Sequence, residues 1–354
     1  MKTIIAIDSF KGCLSSAQAN EAAAGGLKAE FPDSTLIQIP VSDGGEGWLE
    51  AFCAANVGNE VVIDAHDPLM LPVRASYLRD GDTAIIESAR AVGLNLMRGQ
   101  GLNPLIATSY GLGEIVADAV RRGCRKIIVG LGGSATSDCG KGMLRALIDC
   151  FAPGGTWKDV QALKDVSFTI AADVDNPLCG TNGAARVFAP QKGANPEMVE
   201  ALEENALRFA EESAALLGHD CSDMAGAGAA GGLGYAFMQY LGAGCRPGAD
   251  ILLDAIGFDA LLEGAGLVIT GEGSADRQTL MGKLPFRILQ RASARQIPVC
   301  LLAGRTNDRR QLLEAGFSYV ENINPEAIPL GQAMEPETAK ANIAGTVRRI
   351  ARIL

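Results

Sequence analysis

The feature that most restricts the fold occurs four times: a short run rich in β-branched residues opening at once into a glycine-rich polar loop. Residues 4–7 lead into DSFKG (8–12), and 36–41 lead into SDGGEG (42–47). Residues 127–129 lead into GLGGSATSDCGKG (130–142), and 267–270 lead into GEGSADRQTLMGK (271–283). Helical patterns follow, and strand, loop and helix in that order make a βα unit of a largely parallel sheet. Such sheets bind ligands outside the carboxyl ends of their strands, so the four loops are four candidate pieces of one site.

A chain of 354 residues exceeds one typical domain of roughly 100–200 residues. Candidate strands at 3–7, 36–41, 267–270, 298–302 and 318–322, with their helices, make five βα units. That is the content of a flavodoxin-like sheet in the order 2-1-3-4-5. The fold class predicted is therefore α/β with two α/β domains. Residues 1–65 plus 256–354 form a discontinuous flavodoxin-like domain, and 66–255 form an inserted second α/β domain. The active site is expected in the cleft between them, and two sequential domains are the competing layout. In the flavodoxin-like order, strand 1 lies between the strands at 36–41 and 267–270, which makes Asp8, Asp43 and Glu272 neighbours. Three helices are well marked. Ser15 and Gln18 form a capping box before an alanine-rich stretch to Lys28. A second helix starts near Asn195-Pro196 and runs to about Leu217. The last runs from Pro336 to Leu354, with arginines toward its C-terminus.

Composition removes several functions. The net charge of −10 argues against a nucleic-acid surface. No apolar stretch reaches the roughly 18 residues that cross a bilayer, and the N-terminus reads as a strand, so no membrane association and a cytoplasmic location are expected. The nine cysteines contain no CxxC pair, which disfavours a zinc site or a disulfide framework. The two histidines, His66 and His219, lie outside the glycine clusters, so acid–base chemistry there falls to carboxylate or lysine.

In 130–142, backbone N–H groups at a strand-to-helix turn suit an anion, phosphate above all. Gly130-x-Gly132-x-x-Ala135 fits a dinucleotide fingerprint, but the acidic partner about 20 residues on, Asp149, falls inside a helical pattern. Neither Gly140-Lys141 nor Gly282-Lys283 has the upstream glycine of a P-loop. A tight turn cleared for packing is the plain alternative. The second match, Gly226 to Gly231, follows no strand and serves equally as a close-packed helix start. Strand-end carboxylates such as Asp8 and Asp43 suit Mg²⁺ or a general base, and helix capping is their alternative role. ADVDNPLCG (172–180) adds Asp173 and Asn176. FAPQKGA (188–194) adds Gln191 and Lys192. The last cluster adds Glu272, Asp276, Gln278 and Lys283. Carboxylates, lysines and glycine cradles without usable histidine or thiolate form the inventory of phosphoryl transfer.

These strings, together with NPLIATSYGLGE (103–114) and GAGAAGGLG (226–234), resemble the class I glycerate kinases, the glycerate 2-kinases. They run in the family's order from residue 8 to residue 283. The resemblance implies two α/β domains, one of them flavodoxin-like. It implies ATP as co-substrate, Mg²⁺, D-glycerate as acceptor, and 2-phosphoglycerate and ADP as products. Ile7, Cys139 and Arg90 depart from the family's usual residues without removing an ionisable motif position.

The resulting expectations are specific. Asp8, Lys11, Asp43, Asp173, Asp276 and Lys283 are candidate catalytic residues, with Asp43 and Asp173 the candidate Mg²⁺ ligands. Ser9, Glu46, Asn176, Gln191, Lys192, Glu272 and Gln278 are candidate substrate contacts. Gly132, Gly133, Ser134, Thr136, Asp138, Gly140, Gly228 and Gly231 are candidate nucleotide contacts. Individual roles among the aspartates and lysines stay open, and a homodimer is compatible with the sequence. An NAD-dependent hydroxy-acid oxidoreductase, a kinase of another small hydroxy acid (3-phosphorylation of glycerate included) and a non-catalytic metabolite-binding protein are the competing functions.

Overall fold

The computed structural model describes residues 1–45, 47–97, 101–325 and 328–353. Its strands are, in chain order, β1 (Lys2–Ile7), β2 (Thr35–Gln38), β3 (Asn59–His66), β4 (Pro72–Asp80), β5 (Thr83–Glu87), β6 (Lys126–Gly130), β7 (Ser167–Ala171), β8 (Gly244–Arg246), β9 (Leu267–Ala275), β10 (Val299–Thr306) and β11 (Tyr319–Asn322). The chain divides into two compact units. One comprises Met1–Asp43, Glu50–Asn56 and Ala249–Leu354, and the other comprises Gly44–Leu49 and Val57–Gly248.

The first unit carries a five-stranded parallel sheet in the order β11-β10-β9-β1-β2, which is the 2-1-3-4-5 order expected. β1 and β10 carry the continuous apolar runs 4–7 and 299–303, as strands covered on both faces must. One face is covered by the helices Ser16–Glu30 and Pro336–Ala351, whose Ala19, Ala23, Leu27, Ile343 and Val347 pack with Ile5, Ile7 and Leu302 of the sheet. The first helix starts at the expected capping box, with Ser15 and Gln18 bonding each other's backbone N–H groups. Register puts Ile7, Gly271 and Leu302 level, so the chain leaves β1, β9 and β10 at one edge.

The second unit carries a six-stranded sheet in the order β3-β4-β5-β6-β7-β8. The pairs β3–β4 and β4–β5 are antiparallel, and the remaining pairs are parallel. Both expected boundaries shift. β3 pairs along its length with β4, so the second unit takes up the chain at Val57, before residue 66. At the far end the first unit resumes at Ala249, before residue 256. Gly44–Leu49 also belongs to the second unit, because Trp48 is fully buried there and its indole N–H donates to Gly248 O.

Candidate active site

At the edge where β1, β9, β10 and β11 end, the first unit opens into a pocket of about 420 Å³. Asp8 follows β1 directly, and its amide donates to Gly271 O of β9 (2.9 Å). Asp43 follows β2, and Glu272 sits level with Ala303 of β10. All three carboxylates line the pocket with Ser9, Lys11, Lys283 and Arg305.

A buried polar network sets the first two loops. On the sheet-facing side of the helix Ser16–Glu30, Asn20 accepts from the Ile7 amide (2.9 Å) and donates to Ile39 O (2.9 Å). Ser16, one turn earlier, donates to Ile7 O (2.5 Å) and accepts from the Val41 amide (2.8 Å). Two helix side chains at i and i+4 thus tie the segment before Asp8 to the segment before Asp43. Buried polar groups that satisfy several backbone groups at once rigidify what they bridge.

Asp8 is buried. Loss of solvent and the Asp43 carboxylate raise its pKa to about 8, against the pull of the Ser9 N–H (2.6 Å) and the Lys11 charge. Glu272 is also raised, chiefly by burial. The Thr279 hydroxyl (2.6 Å) and the Lys283 ammonium (3.2 Å) oppose that rise by bonding its two oxygens. Lys283 is therefore engaged, while Lys11 reaches the same pocket as an exposed cation. Arg305 is exposed at the pocket too and makes no ion pair among the described residues. Sequence reading passed over Arg305, Asn20 and Ser16. Two polar residues four apart on the buried face of an alanine-rich helix were the available signal.

The glycine-rich loop 130–142 of the second unit is organised differently. Asp138 accepts from the Ser109 amide and hydroxyl (2.8 Å each) and from the amides of Gly140 and Gly142 (3.0 Å each). The start of the helix Lys141–Phe151 thus already holds an anion, the protein's own carboxylate. The glycines make room for other backbone. A Cβ on Gly132 would strike Gly45, and on Gly130 the Trp48 ring. One on Gly140 would strike Ala236, and one on Gly231 would strike Thr136 O. Gly228 gives its amide to Asn176 O (2.9 Å), and Cys139 gives its amide to Gly231 O (3.1 Å). The helix start at 226–234 is a close-packed backbone crossing, and Asp138 caps the helix that follows 130–142, so packing and capping account for the geometry at Asp138, Gly140, Gly228 and Gly231. Gly133 is exposed, and Ser134 and Thr136 are buried. The dinucleotide fingerprint closes for the same reason. Asp149 lies on the helix Lys141–Phe151, paired with Arg145 and hydrogen-bonded to Tyr110.

Lys192 stands beneath this loop. It is 3% exposed, and its ammonium donates to Ser134 Oγ (3.1 Å) and Thr136 O (2.6 Å). Burial lowers its pKa to about 7, with the Asp138 charge opposing. Of the remaining expected residues, Asp276 and Gln278 are in the first unit and are not among those lining its pocket. Asp276 accepts from the Gln278 amide (2.7 Å), closing its own turn, and Gln278 is exposed. Asn176 donates to Asn182 O (2.7 Å) across its loop. Gln191 is exposed on the turn Pro190–Lys192, and Asp173 is exposed after β7, accepting from the Gly248 amide (3.3 Å). Glu46 lies outside the described residues.

The model of the glycerate kinase family matches residues 3–152 and 156–354. The chain belongs to the glycerate kinase family. It is 41% identical to the glycerate kinase of Bacillus subtilis (strain 168), over 95% of this chain and 93% of that protein. It is 40% identical to the glycerate 2-kinase of Escherichia coli (strain K12), over 91% of each. A crystal structure described as glycerate kinase 2 from Salmonella typhimurium LT2 matches with a TM-score of 0.82 and 37% identity, covering 100% of this chain and 98% of that one. Membership of the glycerate kinase family makes the chain a kinase, a phosphotransferase, and implies ATP as its co-substrate. No helix among the described residues is long and apolar enough to cross a membrane, and all nine cysteines are free thiols.

Proposed function

We propose that this kinase transfers the γ-phosphoryl group of ATP to the 2-hydroxyl of D-glycerate, with Asp8 as the general base. The observation that carries the reading is Asp8 itself: a buried carboxylate at a strand end, with its proton affinity raised, opening on a pocket lined by Lys11, Lys283 and Arg305. A base with a pKa near the operating pH is best placed to take a proton from an alcohol as it attacks phosphorus. The fixed loops after β1 and β2 hold that carboxylate without rearrangement during the step. Lys11 and Arg305 supply positive charge for the acceptor's carboxylate and for the transferring group, and Lys283 is steadied by Glu272. The 2-position follows the relative named glycerate 2-kinase.

The donor set fits Mg²⁺. Among the described residues no cluster of three His, Cys, Asp or Glu could hold a metal by itself. Mg²⁺ is commonly bound by one or two carboxylates with substrate phosphates and water completing its shell, and Asp43 beside Asp8 offers such oxygens. When bound, the ion would neutralise phosphate charge. The free thiols suit a reducing, cytoplasmic compartment.

The test is Asp8→Asn, assayed with ATP and D-glycerate and with phosphorus NMR of the product. The expected result is 2-phosphoglycerate from the wild type and a kcat lower by about 10²–10⁴-fold in a variant of unchanged far-UV circular dichroism. Near-normal turnover would remove Asp8 from the role. A 3-phosphorylated product would overturn the regiochemistry.

A further inference from the structure

The pocket is longer and more apolar than a three-carbon acid requires. All but one of its charged groups gather where β2, β1 and β9 end, at Asp43, Asp8, Glu272, Lys11 and Lys283; the exception, Arg305, comes from β10. Beyond β10 the lining changes. Phe10 packs against Gly304, and Met334 covers Gly12 of the same loop. Ile323, Leu330 and Ala333 complete an apolar wall past the end of β11. With neighbouring strands about 4.8 Å apart, β1 to β11 spans three intervals, roughly 14 Å. Glycerate and the transferring phosphoryl group account for the charged end only. Leu330 is 75% exposed and Met334 39% exposed, so the apolar wall presents uncovered side chains to the pocket mouth.

A nucleoside triphosphate has the matching shape, a flat apolar-faced base at one end and polyanionic phosphates at the other. Its phosphates must reach the charged end for transfer, which leaves the base at the β10–β11 end. The glycine-rich loop offers less, since Asp138 and neighbouring backbone fill its helix start. We infer that the wall formed by Phe10, Ile323, Leu330, Ala333 and Met334 is the base-binding half of the nucleotide site, continuous with the charged end at Asp8. The inference rests on the kinase reading above for its ligand. It assigns the base to the first unit, where the glycine fingerprints of the sequence give no hint of it.

The test is the double variant Leu330→Gln/Met334→Gln. Both residues are partly or largely exposed, so the core is untouched. ADP should raise the Tm of the wild type and fail to raise that of the variant. The KM for ATP should increase about tenfold or more, as removal of apolar contacts of this size predicts, while the KM for D-glycerate stays put. Tripolyphosphate, which carries phosphates and no base, should inhibit both proteins equally. An equal ADP-induced Tm rise in the two proteins overturns the base site, as does a wild type that ADP does not stabilise. The outcomes separate this inference from the kinase reading. Loss of the ADP response in a variant of a protein that phosphorylates no D-glycerate would sink the acceptor assignment and leave the base site standing. Activity on D-glycerate with unaltered ADP affinity in the variant would do the reverse.

Discussion

Asp138 and Lys192 are alike in being charged residues whose charge is directed at the protein. Four hydrogen bonds converge on the Asp138 carboxylate, two from Ser109 and two from the first turn of the following helix. Asp138→Ala leaves those donors without their acceptor and removes a cap, so stability should fall by roughly 2 kcal/mol or more, read as a lower urea midpoint. An unchanged midpoint with a raised KM for ATP would return Asp138 to the nucleotide. Lys192 makes a pH-dependent contribution. Its folded pKa, about 7, lies below that of an unfolded lysine. Above about 7 the folded side chain is neutral while the unfolded one still holds its proton, so stability rises with pH across that window. As pH falls from the ordinary lysine range toward about 7 the unfolded chain takes up a proton that the folded one does not, and that stability is lost; below about 7 both states hold it. The Tm of the wild type relative to Lys192→Met should therefore climb between about pH 7 and about pH 10. A flat difference would mean that the ammonium is fully solvated.

At the level of elements, the pattern of glycine loops after apolar runs gave the flavodoxin-like sheet in its observed order. It also placed the Asp8, Asp43 and Glu272 loops side by side, because strand order follows from the count of βα units and their handedness. What periodicity could not separate is glycine used for a ligand from glycine used for another piece of backbone. Gly132 against Gly45, and Gly231 against Thr136 O, are contacts between segments about ninety residues apart in sequence. No local spacing encodes them. Asp276 shows the same ambiguity on a smaller scale: a strand-end carboxylate can close a turn or serve a substrate, and Asp276 accepts from the Gln278 amide within its own turn. Arg305 was missed for the opposite reason. It stands near the end of β10 in the short string AGRTND, with no glycine cluster to draw notice. The apolar wall around Leu330 was invisible too, since its members come from three separate stretches of chain.

Over the whole molecule, chain order and spatial order part company at one small piece. Gly44–Leu49 belongs to the second unit although both its flanks, to Asp43 and from Glu50, belong to the first. The reason is Trp48. Its ring lies against Gly130, where a Cβ would come within 2.8 Å of it, and its N–H reaches Gly248 O at 3.4 Å. The Leu49 amide donates to Glu87 Oε2 (3.2 Å) beside it. A side chain of that size, 0% exposed and set against Gly130 and Gly248, ties this piece to the second unit. A fragment of residues 57–248 therefore lacks that side chain, whereas residues 44–248 retain it. Emptying a buried tryptophan site costs roughly 3–5 kcal/mol when the surroundings cannot collapse, and glycines at 130 and 132 leave no side chain to fill the space. The shorter fragment should melt several degrees below the longer one in far-UV circular dichroism. Replacing Trp48 with Ala in the longer fragment should bring its midpoint down to that of the shorter. Equal midpoints for the two fragments would mean that the indole contributes nothing to that unit and that the unit boundary belongs at Val57.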